Sequence, residues 1–165
     1  MAPLTYSVNG SAFQSSSTFT IAAAGTYIFR VKDANGCEAT ETLIVNPPLL
    51  LAATLDLDLT CTDAAEITLT PSGGAVTVAY AYEVSNDAGI SWTVIAGSTY
   101  MPTTAGAYIF RVTDDQGCQA ISNEIIVTTP VTPTLTFTQI NVSCNGGSDG
   151  RIIVTAGDGV APFEY

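Results

Sequence analysis

Four cysteines and a scatter of paired oxygen-bearing side chains are the residues of this chain that could do chemistry. The thiols are Cys37, Cys61, Cys118 and Cys144, and the chain has no histidine. A zinc site built from cysteines wants close C-x-x-C pairs, and none is present. Disulfides fit better, and they imply an oxidising compartment outside the cytoplasm. Without His, neither a Ser-His-Asp nor a Cys-His nucleophile can form. Asp114-Asp115 has the residue types of a glycosidase carboxylate pair, yet adjacent acids in a Gly-containing loop are more simply solvated turn residues. Ca²⁺ takes roughly six to eight oxygen ligands. Asp33 with Asn35, Asp114 with Asp115, and Asn145 with Ser148 and Asp149 offer two or three each. Asx turns bonding their own backbone account for these loops. No cofactor is expected, and weak Ca²⁺ binding is the most such loops could support. Gly73-Gly74 and Gly146-Gly147 are turn glycines and not phosphate loops.

The elements that position these residues occur twice. Ala24-Gly25-Thr26-Tyr27-Ile28-Phe29-Arg30-Val31-Lys32-Asp33 runs on to Asn35-Gly36-Cys37, and Ala105-Gly106-Ala107-Tyr108-Ile109-Phe110-Arg111-Val112-Thr113-Asp114 runs on to Gln116-Gly117-Cys118. Cys37 and Cys118 stand 81 residues apart, and Cys61 and Cys144 stand 83 apart. A period near eighty is too long for a solenoid repeat and suits a small β-sandwich. Met1-Ala2-Pro3-Leu4-Thr5-Tyr6 resembles Val160-Ala161-Pro162-Phe163-Glu164-Tyr165, so the chain begins and ends at the same point of a repeat. Met1 reads equally as a repeat residue and as an initiator. The expected organisation is the back part of one repeat at 1–48, a complete repeat at 49–130, and the front part of the next at 131–165.

Within the complete repeat the apolar pattern has period two, the mark of half-buried strands. Leu55, Leu57 and Leu59 alternate with Asp56 and Asp58. Ile67 and Leu69 alternate with Thr68 and Thr70. Val76, Val78, Tyr80, Tyr82 and Val84 are expected on one face, and Tyr108, Phe110 and Val112 on another. A short strand over 92–95 and a last strand over 124–128 complete six or seven strands between Gly, Asn and Asp turns. The fold class is all-β, an immunoglobulin-like sandwich. Tyr27 and Tyr108 each follow an Ala-Gly pair by one residue at a strand start, where such folds place a corner tyrosine bonding backbone upstream; a plain core aromatic is the other reading. Asn46-Pro47-Pro48 and Thr129-Pro130-Val131-Thr132-Pro133 read as short, stiff linkers.

Net charge is −11 with four Lys and Arg residues. That opposes binding to nucleic acid, which needs phosphate neutralisation, and to an anionic membrane surface. Acidity of this kind keeps molecules apart in solution. No apolar run approaches the roughly 18 residues of a membrane span. No signal peptide is visible, which carries no information about export in a chain cut from inside an array.

Asn141-Val142-Ser143-Cys144-Asn145-Gly146-Gly147-Ser148-Asp149-Gly150-Arg151-Ile152-Ile153-Val154 resembles the opening of a SprB-type repeat. Ala161 to Tyr165 is similar to its middle motif, and Ala24 to Cys37 to its closing motif. Cys61 to Glu66 departs from the pattern, because the Gly-rich Asp-Gly signature is missing there. The resemblance implies a PKD-like, Ig-related sandwich of a very large Bacteroidota surface protein. The family includes the mobile adhesin of gliding motility, exported by type IX secretion. It implies an extracellular, cell-surface role in adhesion and no catalysis. The alternative is a carbohydrate- or ligand-binding module, whose aromatic platform would have to come from Trp92 and Tyr100.

Two expectations concern partners. Cys61 and Cys118 are expected to pair within the complete repeat, closing a loop worth roughly 4 kcal/mol of chain entropy. The alternative joins neighbours, Cys37 with Cys61 and Cys118 with Cys144. The two partial repeats have too few strands to close a sandwich, so each is expected to be completed head-to-tail by neighbouring repeats or copies. Covalent continuation is favoured over complementation between chains. Since no loop supplies a full Ca²⁺ shell, chelation should move the melting temperature by less than about 5 °C; a larger shift, read by calorimetry, would show a tightly held ion.

Overall fold

The structure is a computed structural model that describes residues 3–76 and 78–164. Met1, Ala2, Thr77 and Tyr165 lie outside the described residues, and with them the ends of the two Ala-Pro motif copies. Among the described residues there are thirteen strands and no helix. The chain is all-β, as its period-two pattern requires.

Residues 50–127 form two facing sheets. One contains β4 (Leu50–Leu57), β5 (Glu66–Ser72) and β8 (Thr99–Tyr100), in that order. The other orders β10 (Gln119–Ile121), β9 (Gly106–Thr113), β6 (Ala81–Ser85) and β7 (Thr93–Ile95), with β11 (Ile125–Val127) also paired to β9. All pairings are antiparallel. Alternation along β9 buries Tyr108, Phe110 and Val112 and leaves Ile109 and Arg111 on the outer face. Facing them across the sandwich are Leu51 and Ala53 of β4 and Ile67 and Leu69 of β5, with Val84, Ile125 and Val127 alongside. Phe110 is 0% exposed and is the largest fully buried side chain. Tyr100 from β8 packs edge-on against it, ring centres 5.7 Å apart.

Two sequence-based expectations need correction here. The strand expected from Val76 to Val84 begins only at Ala81. Val76 and Val78 lie on the crossover from β5 in one sheet to β6 in the other, and Val78 is 89% exposed. A crossing segment has no ladder to hold its alternation. The second concerns Leu57. A register shift between Leu55 and Leu57 turns Leu57 outward, so the inward set of β4 is Leu51, Ala53 and half-buried Leu55. The last strand is also split. Nine residues run from Cys37 to Val45 but ten from Cys118 to Val127. The extra residue is accommodated at Ser122-Asn123-Glu124, between β10 and β11, as a bulge would be.

That break aims Asn123 at β4. Its Nδ2 donates to the Ala53 carbonyl at 3.0 Å, and its Oδ1 accepts the Ala53 amide at 3.0 Å. One side chain thus satisfies both backbone groups of a buried strand residue and joins the two sheets. Ser122 does the same for Phe110 from the other side: its hydroxyl accepts the Phe110 amide, and its own amide donates to the Phe110 carbonyl.

Outside the sandwich, β1 (Thr5–Val8), β2 (Gly25–Lys32) and β3 (Glu38–Val45) form a separate sheet ordered β1-β2-β3. β12 (Pro133–Ile140) and β13 (Arg151–Asp158) form a two-stranded hairpin. Among the described residues neither has a second sheet against its apolar face. Tyr27, Phe29 and Val31 are only half-buried, whereas their counterparts Tyr108, Phe110 and Val112 are buried.

Replacing Phe110 by Ala should cost about 3–5 kcal/mol, and Asn123→Ala about 1–3 kcal/mol through the two orphaned backbone groups of Ala53. Urea unfolding followed by the single tryptophan, Trp92, measures both. Neutral Asn123→Ala would show that the side-chain clamp does not hold β4.

Candidate functional site

The repeated motif folds into the same device in both places. Tyr27 donates its hydroxyl proton to the Ala23 carbonyl at 2.8 Å. Tyr108 donates to the Thr104 carbonyl at 2.9 Å and lies 2.8 Å from the Thr104 hydroxyl. Each bond reaches four residues upstream, fixing the path of the chain into β2 or β9. Gly25 and Gly106 precede them with φ of 155° and 157°.

The turn at the far end of each strand is also duplicated. Asp33 Oδ1 accepts the amides of Asn35 at 2.9 Å and Cys37 at 2.8 Å. Asp114 Oδ1 accepts those of Gln116 at 3.0 Å and Cys118 at 2.8 Å. Asp114 goes further, because its Oδ2 takes the amide of Ala75 at 2.9 Å. That bond first, then the turn amides, hold the Asp114 carboxyl below the usual carboxylate range. The aspartates are thus committed to backbone. The same holds for Asp149, whose Oδ1 accepts the Ser143 amide. Among the described residues no group of three or more His, Cys, Asp or Glu is placed to hold a metal. Asp87 is held at about 2 by the hydroxyls of Ser85 and Ser91 and by the Ser91 amide, bracing the β6–β7 turn.

The turn carrying Asp114 packs where the incoming linker meets the sandwich. Gly74 donates its amide to the Pro47 carbonyl at 2.9 Å. A side chain at Gly73 (φ +76°) would lie 2.1 Å from the Pro48 carbonyl oxygen, so only glycine allows this approach. The outgoing end is built from other residues. Asp58 accepts the Thr128 amide at 3.0 Å and the Thr128 hydroxyl, which together hold its carboxyl down. Beside it lies an open groove of about 910 Å³ between Leu59, Cys61, Pro130, Pro133, Val160 and Phe163.

These two ends correct the expected disulfide. Cys118 sits at the incoming end and Cys61 at the outgoing end. The eight residues of β4 run between them, a span of about 25 Å at roughly 3.3 Å per residue. A disulfide needs Cα atoms within about 7 Å. All four cysteines are free and exposed. Non-reducing peptide mapping should therefore yield no Cys61–Cys118 peptide, and recovery of one would contradict this strand order.

The proposed aromatic platform is not assembled. Tyr100 lies against Tyr108 and Phe110 in the core, where burial pushes its hydroxyl pKa up. The face of Trp92 is covered by Arg111, 4.4 Å from the ring centre, and Arg111 is in turn held by Glu83 at 2.7 Å. This outer-face stack and the Asn123 clamp were not anticipated from sequence. The one-residue difference between the two closing segments was the available signal for Asn123.

What remains open is apolar sheet face. A hollow of about 430 Å³ over β1–β3 is lined by Tyr6, Phe19, Ile21, Phe29, Val31 and Leu43. On the hairpin, Leu135, Phe137, Ile152 and Val154 share a face by register and are 68%, 66%, 68% and 44% exposed.

No curated protein matches the sequence. Among solved structures, the chain is similar to the C-terminal 282-residue fragment of intimin in complex with the intimin-binding domain of the translocated intimin receptor. The TM-score is 0.53 at 11% identity over 81% of this chain and 55% of that one. The chain thus spans about half the length of the intimin fragment, and the likeness establishes an immunoglobulin-like β-sandwich fold and nothing more. Residues 136–165, which carry most of β12 and all of β13, match the SprB repeat family.

Proposed function

We propose that this chain is a structural and adhesive stretch of a large exported surface protein, in which Ig-like SprB-type repeats act as spacer and stalk. The observation that carries the reading is the SprB match at residues 136–165. Three features support it. The apparatus of the complete sandwich is spent on holding strands and turns, with aspartates bonded to amides and tyrosines to carbonyls. Both linkers bear proline, and the incoming one packs against the turn glycines at 73 and 74, which suits a chain that transmits length. The −11 charge suits a chain displayed in water. Intimin is a solved Ig-like neighbour whose fragment is held by a receptor domain, and a similar display role is natural here. The carbohydrate-module reading loses support because Trp92 is stacked under Arg111.

The reading places the segment outside the cell, exported by type IX secretion and serving adhesion and, in gliding cells, motility. Antibody raised against residues 49–130 should label intact, unpermeabilised source cells, and labelling should be lost when type IX secretion is disabled. Signal only after permeabilisation would overturn the reading.

A further inference from the structure

The complete sandwich contains a template for what covers the open sheet at the start of the chain. The geometry points to a specific occupant: the β12–β13 hairpin of a second copy of this chain, laid across β1–β3 to close a composite sandwich.

The template works residue by residue. In the complete sandwich, β4 and β5 cover β9. Leu51 and Ala53 pair with Pro71 and Leu69, and Leu55 pairs with Ile67. In the hairpin, Leu135 and Phe137 pair with Ala156 and Val154, and Gln139 pairs with Ile152. The inward row Leu51, Ile67, Leu69 thus reappears as Leu135, Ile152, Val154. After each hairpin comes the same left-handed turn, Gly73-Gly74 in one and Asp158-Gly159 in the other. The covered side matches as well. Tyr108, Phe110 and Val112 reappear as Tyr27, Phe29 and Val31. Val84 opposite Phe110 reappears as Val8 opposite Phe29, and Ile125 opposite Tyr108 as Leu43 opposite Tyr27.

Two features of the open sheet are missing their counterparts. In the complete sandwich, Tyr100 packs on Phe110, and its strand pairs with β5 through Ile67 and Thr68. In the open sheet, Phe19 packs edge-on against Phe29 at 5.5 Å, but residues 16–22 are in no strand. Ile152 and Ile153 of a docked hairpin would stand opposite Phe19 and Thr18 and supply that ladder. The second feature is polar. Asp33 spends Oδ1 on its own turn as Asp114 does, while the Oδ2 bond that Asp114 makes to Ala75 has no equivalent there among the described residues. The amide of Val160, just past Gly159, is the matching donor. Within these 165 residues the two halves are separated by the whole sandwich 50–127 and its proline linkers, so this hairpin meets this face between copies, head to tail. The inference rests on the repeat and its registers; surface display is not involved.

The test uses the full 165-residue chain and two variants that leave the complete sandwich untouched. Phe137→Asp spoils the hairpin, and Leu43→Asp, at a half-exposed position, spoils the face. Light scattering after size exclusion should give a wild-type mass that rises with concentration above the 17.1 kDa chain. Each variant alone should stay at the chain mass. A mixture of the two should form a 1:1 pair that grows no further, since one supplies the only working hairpin and the other the only working face. A wild-type chain that stays at 17.1 kDa at millimolar concentration would overturn the inference. So would association that survives both substitutions, or a mixture that does not pair.

Discussion

A sheet with tyrosine, phenylalanine and valine alternating along its central strand must have something laid across that face. Burying a side chain of this size contributes about 1.5–3 kcal/mol, and a two- or three-stranded sheet in water has little else to hold it. In the complete sandwich β4 and β5 meet this need, and Phe110 disappears from solvent. Along β2 the same residue types stay half-exposed, because among the described residues no second sheet lies on them. The difference between the two copies of the motif is thus one of coverage. The corner bond of the tyrosine and the aspartate's bonds to its own turn are shared.

The devices around that core act on backbone. Tyrosine hydroxyls fix where β2 and β9 begin. Aspartate carboxylates fix where they turn. Asn123 closes the seam between sheets by binding both polar groups of Ala53. Because Asp33 and Tyr27 keep their bonds without a covering sheet, the turn and the corner are local. They are preset parts onto which a second sheet can be laid.

Much of this was legible in the sequence. The duplication near 81 residues exposed the strand-turn unit, and its alternation identified Tyr108, Phe110 and Val112 as the buried row. Alternation failed where strands change sheets or slip register, at Val76 and Val78 and at Leu57, because period two reports a face only while a ladder continues. The cysteines misled for a related reason. Cys61 and Cys118 belong to one repeat in sequence, but a strand of eight residues separates them in space. Asn123 was not readable as a clamp, since its role depends on a break in a strand and on a partner 70 residues away.

Hydrogen exchange measured at low and high protein concentration tests the dependence on coverage most directly. Amides of residues 106–113 should be strongly protected at both concentrations. Those of residues 25–32 should exchange quickly in dilute solution and gain protection as concentration rises. Equal, concentration-independent protection of the two strands would contradict the account, because it would mean that β2 needs no covering sheet.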